Sequence, residues 1–200
     1  PALRRLLQTP DLDSALLLEL VEALGAVGEQ RSTDVMIELL SHPWSPLRGA
    51  ALRGLARLDA DLFLLVLSGL QPDSEWQVRA DLANALAFVD PDVGAFRLTL
   101  MLEDEDRRVI PAVLRSLVTL RAPNAVGLLL THLSDGDVVV RKMAATLLGD
   151  LEVSRAVEAL VTAYRDALGD PSYLARAAIV DALARVGVPS ALETVRAALA

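Results

Sequence analysis

Apolar side chains recur along this chain at the interval of a helix that buries one stripe. Around Arg79 they fall at −1, +3, +4 and +7, as Val78, Leu82, Ala83 and Leu86, the spacing of an α-helix with one face against a core. The segment returns with Leu17, Arg48, Ile110, Arg141 and Arg176 in the place of Arg79, so six anchors stand 31, 31, 31, 31 and 35 residues apart. Seven residues after each anchor lie Leu24, Leu55, Leu86, Leu117, Leu148 and Leu183. Just before each lie Leu16, Leu47, Val78, Val109, Val140 and Ala175, and eight after it Gly25, Ala56, Ala87, Val118, Gly149 and Ala184. Six residues before the anchors come Asp11, His42, Asp73, Asp104, Asp135 and Asp170.

Upstream of each such helix lies a shorter, more apolar segment, for example Val35 to Leu40 or Ala125 to Leu133, which predicts a first helix. Turn residues separate the two, as in Gln71-Pro72-Asp73-Ser74 and Ser134-Asp135-Gly136-Asp137, and such clusters stop one helix and cap the next. Ser45-Pro46 and Asp170-Pro171 are expected to cap second helices, with proline at the first helical position. Helix pairs of this length cannot bury a core alone, so they must stack. The repeats are set at approximately 1–28, 29–58, 59–89, 90–122, 123–153 and 154–187, with a partial unit at 188–200, all in a single domain spanning 1–200.

Two departures carry information. The interval of 35 adds four residues, about one helical turn, which fit in the first helix of that unit, roughly Arg155 to Leu168. In the fourth repeat Ile110 replaces Arg and Pro111 follows it, so that second helix must be delayed or kinked. Neither end shows a polar capping repeat: Leu3, Leu6 and Leu7 at one end, and Leu192, Val195 and Leu199 at the other, have no partner helix in the sequence. A fragment of a longer protein, with end-to-end self-association through those faces, is the expectation.

The six-residue Asp-to-Arg spacing, the leucine column and the paired helices resemble HEAT repeats, and the short period is most similar to bacterial HEAT-like repeats of the kind found in phycobilin lyases. Asp135-Gly136-Asp137-Val138-Val139-Val140-Arg141 and Asp73-Ser74-Glu75-Trp76-Gln77-Val78-Arg79 carry the resemblance. It implies an all-α fold, a right-handed α-solenoid (superhelix) of about six and a half two-helix repeats. It also implies that Asp73, Asp104, Asp135 and Asp170 with Arg48, Arg79, Arg141 and Arg176 form structural ladders between neighbouring turns. Repeats one, two and four lack a member, so the ladder is expected to break there.

Leu and Ala together supply 72 of the 200 residues, 41 and 31 respectively, and this suits helices throughout. The chain has no Cys, which excludes disulfides and any thiolate zinc site. The formal charge of −8 is spread as −2, −4 and −2 over residues 1–60, 61–121 and 122–200, so no basic stripe awaits a phosphate backbone. Charges interrupt every apolar stretch before the length of a membrane span. No nucleic acid and no membrane are therefore expected as partners, and the protein is expected to be cytoplasmic.

Little in the sequence carries chemistry. His42 lies in a turn and His132 near the end of a first helix, without metal-ligand spacing. Glu103-Asp104-Glu105-Asp106 offers oxygen ligands for a divalent cation or, equally, charges that favour the next helix N-terminus. No catalytic constellation, cofactor motif or metal set emerges. Two candidate contact surfaces do. Trp44, Trp76 and Tyr173 fall three or four residues before an anchor, along one edge of the stack. Five residues after the anchors lie Glu22, Arg53, Asn84, Arg115, Thr146 and Asp181, all polar and opposite the buried stripe. In the resemblance this column lines the concave face, where mixed charge suits a protein or peptide. The reading is a non-catalytic interaction or scaffold module. The alternative, from the same resemblance, is a bilin lyase or chromophore chaperone with Arg53 and Arg115 for the propionates. A DNA glycosylase of HEAT-like architecture needs a basic face, which the charge excludes.

Overall fold

Eleven α-helices and five short 3-10 turns, with no strand among the described residues, make up a computed structural model that describes residues 13–187 together with Pro189 and Arg196. Helix α1 (Ser14–Val27) is the first among the described residues; pairs follow as α2 (Thr33–Leu39) with α3 (Ser45–Leu58), and α4 (Ala60–Ser68) with α5 (Trp76–Ala85). Next come α6 (Pro91–Met101) and α7 (Ile110–Thr119), α8 (Ala125–His132) and α9 (Val138–Asp150), then α10 (Val157–Asp166) and α11 (Leu174–Val186). The terminal faces of Leu3, Leu6 and Leu7 and of Leu192, Val195 and Leu199 lie outside the described residues.

The chain forms two compact units, Pro1–Asp104 and Glu105–Ala200. In the first, α3 packs between α1 and α5, with α2 and α4 against it. In the second, α9 packs between α7 and α11, while α8 and α10 cover the row. The leucine column is the axis of both cores: Leu24, Leu55, Leu86, Leu117, Leu148 and Leu183 are each at most 1% exposed. The column before the anchors is buried too except at Leu16. Small residues let the second helices close up: a Cβ on Gly25 would lie 2.8 Å from the Gly54 Cα, and one on Gly149 2.8 Å from the Ala182 Cα.

Joints between repeats come in two kinds, decided at the position eleven after the anchor. Gly28, Arg121, Glu152 and Gly187 there take positive φ, the last at 68°. At Arg121 the chain closes a left-handed cap, with the Ala122 N–H donating to the Leu117 carbonyl and the Arg121 N–H to that of Val118. Asp59 and Asp90 hold the same position without it. Asp59 ends α3 and caps α4 through the Leu62 N–H; Asp90 accepts from the N–H groups of Asp92 and Val93 to open α6.

Pro111 acts as the sequence requires: a 3-10 turn over Arg107–Val109 precedes α7, and the proline sits in the first turn, where its missing N–H costs nothing. The four extra residues of the sixth repeat lie in its first-helix segment, as 3-10 turns Ser154–Ala156 and Ala167–Gly169 flanking a 10-residue α10. The expected Ser45 and Asp170 caps are corrected. Ser45 is already helical behind Trp44, and α11 begins at Leu174, leaving Asp170-Pro171 in the preceding turn. Neither second helix has a side-chain cap hydrogen bond.

Candidate functional site

Each anchor arginine holds its own turn, and Arg48, Arg79 and Arg141 also grip the next. Arg48 donates through Nη1 to the carbonyls of His42 (2.9 Å) and Pro43 (3.2 Å), and through Nε and Nη2 to both oxygens of Asp73 at 2.7 and 2.8 Å. Arg79 repeats this on Asp73 and Ser74 carbonyls and on Asp104, at 2.7 and 2.9 Å. Arg141 binds the Asp135 and Gly136 carbonyls and pairs with Asp170. Arg176 donates to the carbonyls of Ala167, Leu168 and Asp170. The six-residue spacing is the reach of a guanidinium from the first helical turn back to the turn that starts the helix. The planar fork then leaves two donors for a carboxylate one repeat on. Arg48 lowers the Asp73 carboxyl below the usual carboxylate range, against the opposing effect of burial, and is itself raised in return.

The expected break in repeat four is absent. Ile110 is buried, yet Asp135 pairs with Arg107, three residues upstream, and lies 3.0 Å from His132 Nδ1. One turn of helix puts residues three apart on the same side, and the 3-10 turn places Arg107 there. Burial pushes the Asp135 carboxyl up, but the Asp137 N–H, the His132 ring and Arg107 together hold it low. In repeat two His42 replaces the turn-forming half of the aspartate's role: its Nδ1 accepts the Trp44 N–H at 3.0 Å, as Asp73 accepts from Glu75 and Asp135 from Asp137. The acidic run divides likewise, Asp104 to Arg79 and Asp106 to the Arg108 N–H and guanidinium.

The polar column is partly knitted together. In the first unit Arg53 bridges Glu22 of α1, at 2.7 Å, and Asp81 of α5. One cation thus ties three successive second helices, and Asn84 is half-buried beside Asp81 on α5. In the second unit Arg115 and Asp181 are exposed and Thr146 half-buried. Arg185 pairs there with Asp150 and, at 2.9 Å, with Asp181. Asp81, Asp150 and Arg185 escaped the column-by-column reading because they stand two or nine residues from their anchors and meet the column only across helices. Trp44 and Trp76, at the starts of α3 and α5, are half-buried, whereas Tyr173, ahead of α11, is 70% exposed. No group of three or more metal-ligating side chains gathers among the described residues.

Helix pairs in register, clamped by an Asp/Arg lattice, define an α-helical repeat protein. The HEAT repeats family matches residues 95–167 and again 128–200, together more than half of the chain. The chain belongs to the HEAT-repeat family. No curated protein matches it significantly. Among solved structures it is similar to the complex of CpcE and CpcF of phycocyanin lyase from Nostoc sp. PCC7120, at 21% identity and TM-score 0.51 over 96% of this chain and 77% of that one. It is also similar to an engineered protein, at 19% identity and TM-score 0.50 over 92% and 95% of the two chains. At these identities the likeness is one of fold.

Proposed function

We propose that this chain is a non-catalytic module that binds a protein or peptide on the polar face of its second helices. The observation that carries the reading is the Glu22–Arg53–Asp81 bridge. It fixes a mixed-sign surface across α1, α3 and α5 before any partner arrives, and preorganised charge gives specificity and orientation at an interface. Asn84 adds to this lining in the first unit; the second unit has polar residues of its own in Arg115, Thr146 and Asp181, with Tyr173 as an exposed aromatic anchor. The charge of −8 argues against nucleic acid. A tagged chain recovered from its native cells should bring down a defined protein, identified by mass spectrometry. Arg53→Glu should remove that protein while the melting temperature stays within a few degrees. Equal recovery with the variant would overturn the reading.

A bilin lyase or chromophore chaperone is the second reading. The fold likeness to a phycocyanin lyase complex favours it, as does Arg115, exposed and with no ion pair among the described residues. Arg53 fits it poorly, since two carboxylates already neutralise it. Titrating the protein with a free bilin and following absorbance separates the two: a red shift abolished by Arg115→Ala would favour the chromophore.

A further inference from the structure

The first helices also present a surface. On α6, Val93, Phe96 and Leu100 stand at i, i+3 and i+7 and form one stripe, yet all are exposed, Phe96 at 66% and Leu100 at 61%. The helix buries its other side through Gly94 and Leu98. One repeat earlier Leu65 occupies the position of Phe96 and is 70% exposed. Singly exposed leucines are ordinary, but an aligned stripe is the surface a second helix covers. At the Leu100 end of the stripe lies a cleft of about 460 Å³ lined in part by Leu82, Leu86 and Met101. Leu100 and Arg97 stand in its wall, so the stripe runs into a hollow that can take a large side chain.

The charges along the stripe specify what would lie on it. Asp92 lies on one flank of the stripe and Arg97, five residues and about 140° further round the helix, on the other, with Glu103 in the turn past the end of α6. None has an ion-pair partner among the described residues, and Arg97 is half-buried in the wall of the cleft. A guanidinium in that setting gains from a carboxylate brought with an apolar face. We propose that this face of α6 docks an amphipathic helix of a partner protein, whose apolar stripe covers Phe96 and Leu100 and which carries a basic side chain on one edge for Asp92 and a carboxylate on the other for Arg97. Because the two flanks carry opposite charge, only one orientation satisfies both pairs. The site is separate from the polar face of the second helices and does not rest on the reading of that face.

The test uses the whole chain and two synthetic helical peptides of about 14 residues, four turns, labelled for fluorescence anisotropy. Both carry the same Leu/Phe stripe; one has Lys on one edge and Glu on the other, the second has Lys on both edges. General attraction to a chain of charge −8 favours the all-Lys peptide. Docking on α6 favours the peptide with Glu, by about fivefold or more. Arg97→Glu should reverse the preference. Phe96→Asp, a surface change, should weaken the Glu peptide about tenfold with the melting temperature unchanged. Arg53→Glu should leave it alone. Tighter binding of the all-Lys peptide, indifference to Phe96→Asp, or no binding of either peptide below about 1 mM would overturn the proposal. A dimer in light scattering that Phe96→Asp dissolves would assign the face to a second copy instead, and overturn it equally.

Discussion

Ile110 shows how a residue column can fail while the contact it stands for survives. The guanidinium that Asp135 needs arrives from Arg107, and the carboxylate, only 6% exposed, is not left with histidine and backbone alone. Arg107→Ala should therefore cost about 1–2 kcal/mol, by weakening the satisfaction of a buried charge. Arg108→Ala, which loses a contact on a side chain 60% exposed, should stay within about 0.5 kcal/mol. Urea denaturation of both variants measures the difference; equal small effects would mean that Arg107 does not belong to the lattice. The pH dependence has a definite sign. Asp73 and Asp135 are held below their ordinary range, so their contribution is present above the unfolded carboxylate value of about 3.9 and is lost as pH falls through the lower folded value. The gap in stability between wild type and Arg48→Met should be full at neutral pH and should close below about pH 4. The aspartate and arginine columns were legible in the sequence because six residues is a fixed reach. Arg107 was not, because Pro111 converts the preceding residues to a 3-10 turn and moves the useful position by three.

At the scale of elements, the second helices follow directly from their period, and the leucine column sits at the centre of each contact. Leu86→Ala and Leu148→Ala should each cost about 2–5 kcal/mol through the cavity they leave, and a loss below about 1 kcal/mol at both would contradict that placement. Joints between repeats allow a change in the other direction. Arg121 and Glu152 adopt φ of 55° and 50°, where Gly28 and Gly187 serve in their own repeats. A side chain in that region is strained, and glycine relieves the strain at a smaller entropic cost. Arg121→Gly and Glu152→Gly should raise stability by about 0.5–1 kcal/mol, read as a higher denaturation midpoint. The sequence could not distinguish these joints from those at Asp59 and Asp90, because all are polar positions in equivalent places and only the backbone separates them. The α6 stripe was hidden for a related reason. Exposed and buried stripes have the same periodicity, and burial depends on what the neighbouring repeats bring to that side.

For the molecule as a whole, the family match and the sequence period agree on architecture, whereas the partner depends on surface groups assembled from several repeats. Glu22, Arg53 and Asp81 come from three helices, and no linear motif joins them. Stacked repeats also distribute stability in a particular way. Each one contacts chiefly its neighbours, so stability is close to a sum of repeat and interface terms, and a local loss stays local. Leu148 lies within the α7–α9–α11 row and Leu86 follows α5, in the separate compact unit ending at Asp104. Hydrogen exchange should resolve the two substitutions by position. Leu148→Ala should speed amide exchange across α8 to α11 by an amount matching its loss in stability while α1 to α3 exchange as in wild type. Leu86→Ala should do the reverse, with its effect centred on α3 to α5. Uniform acceleration along the whole chain by either substitution would mean that all repeats open together, and nearest-neighbour coupling would then be the wrong description of this protein.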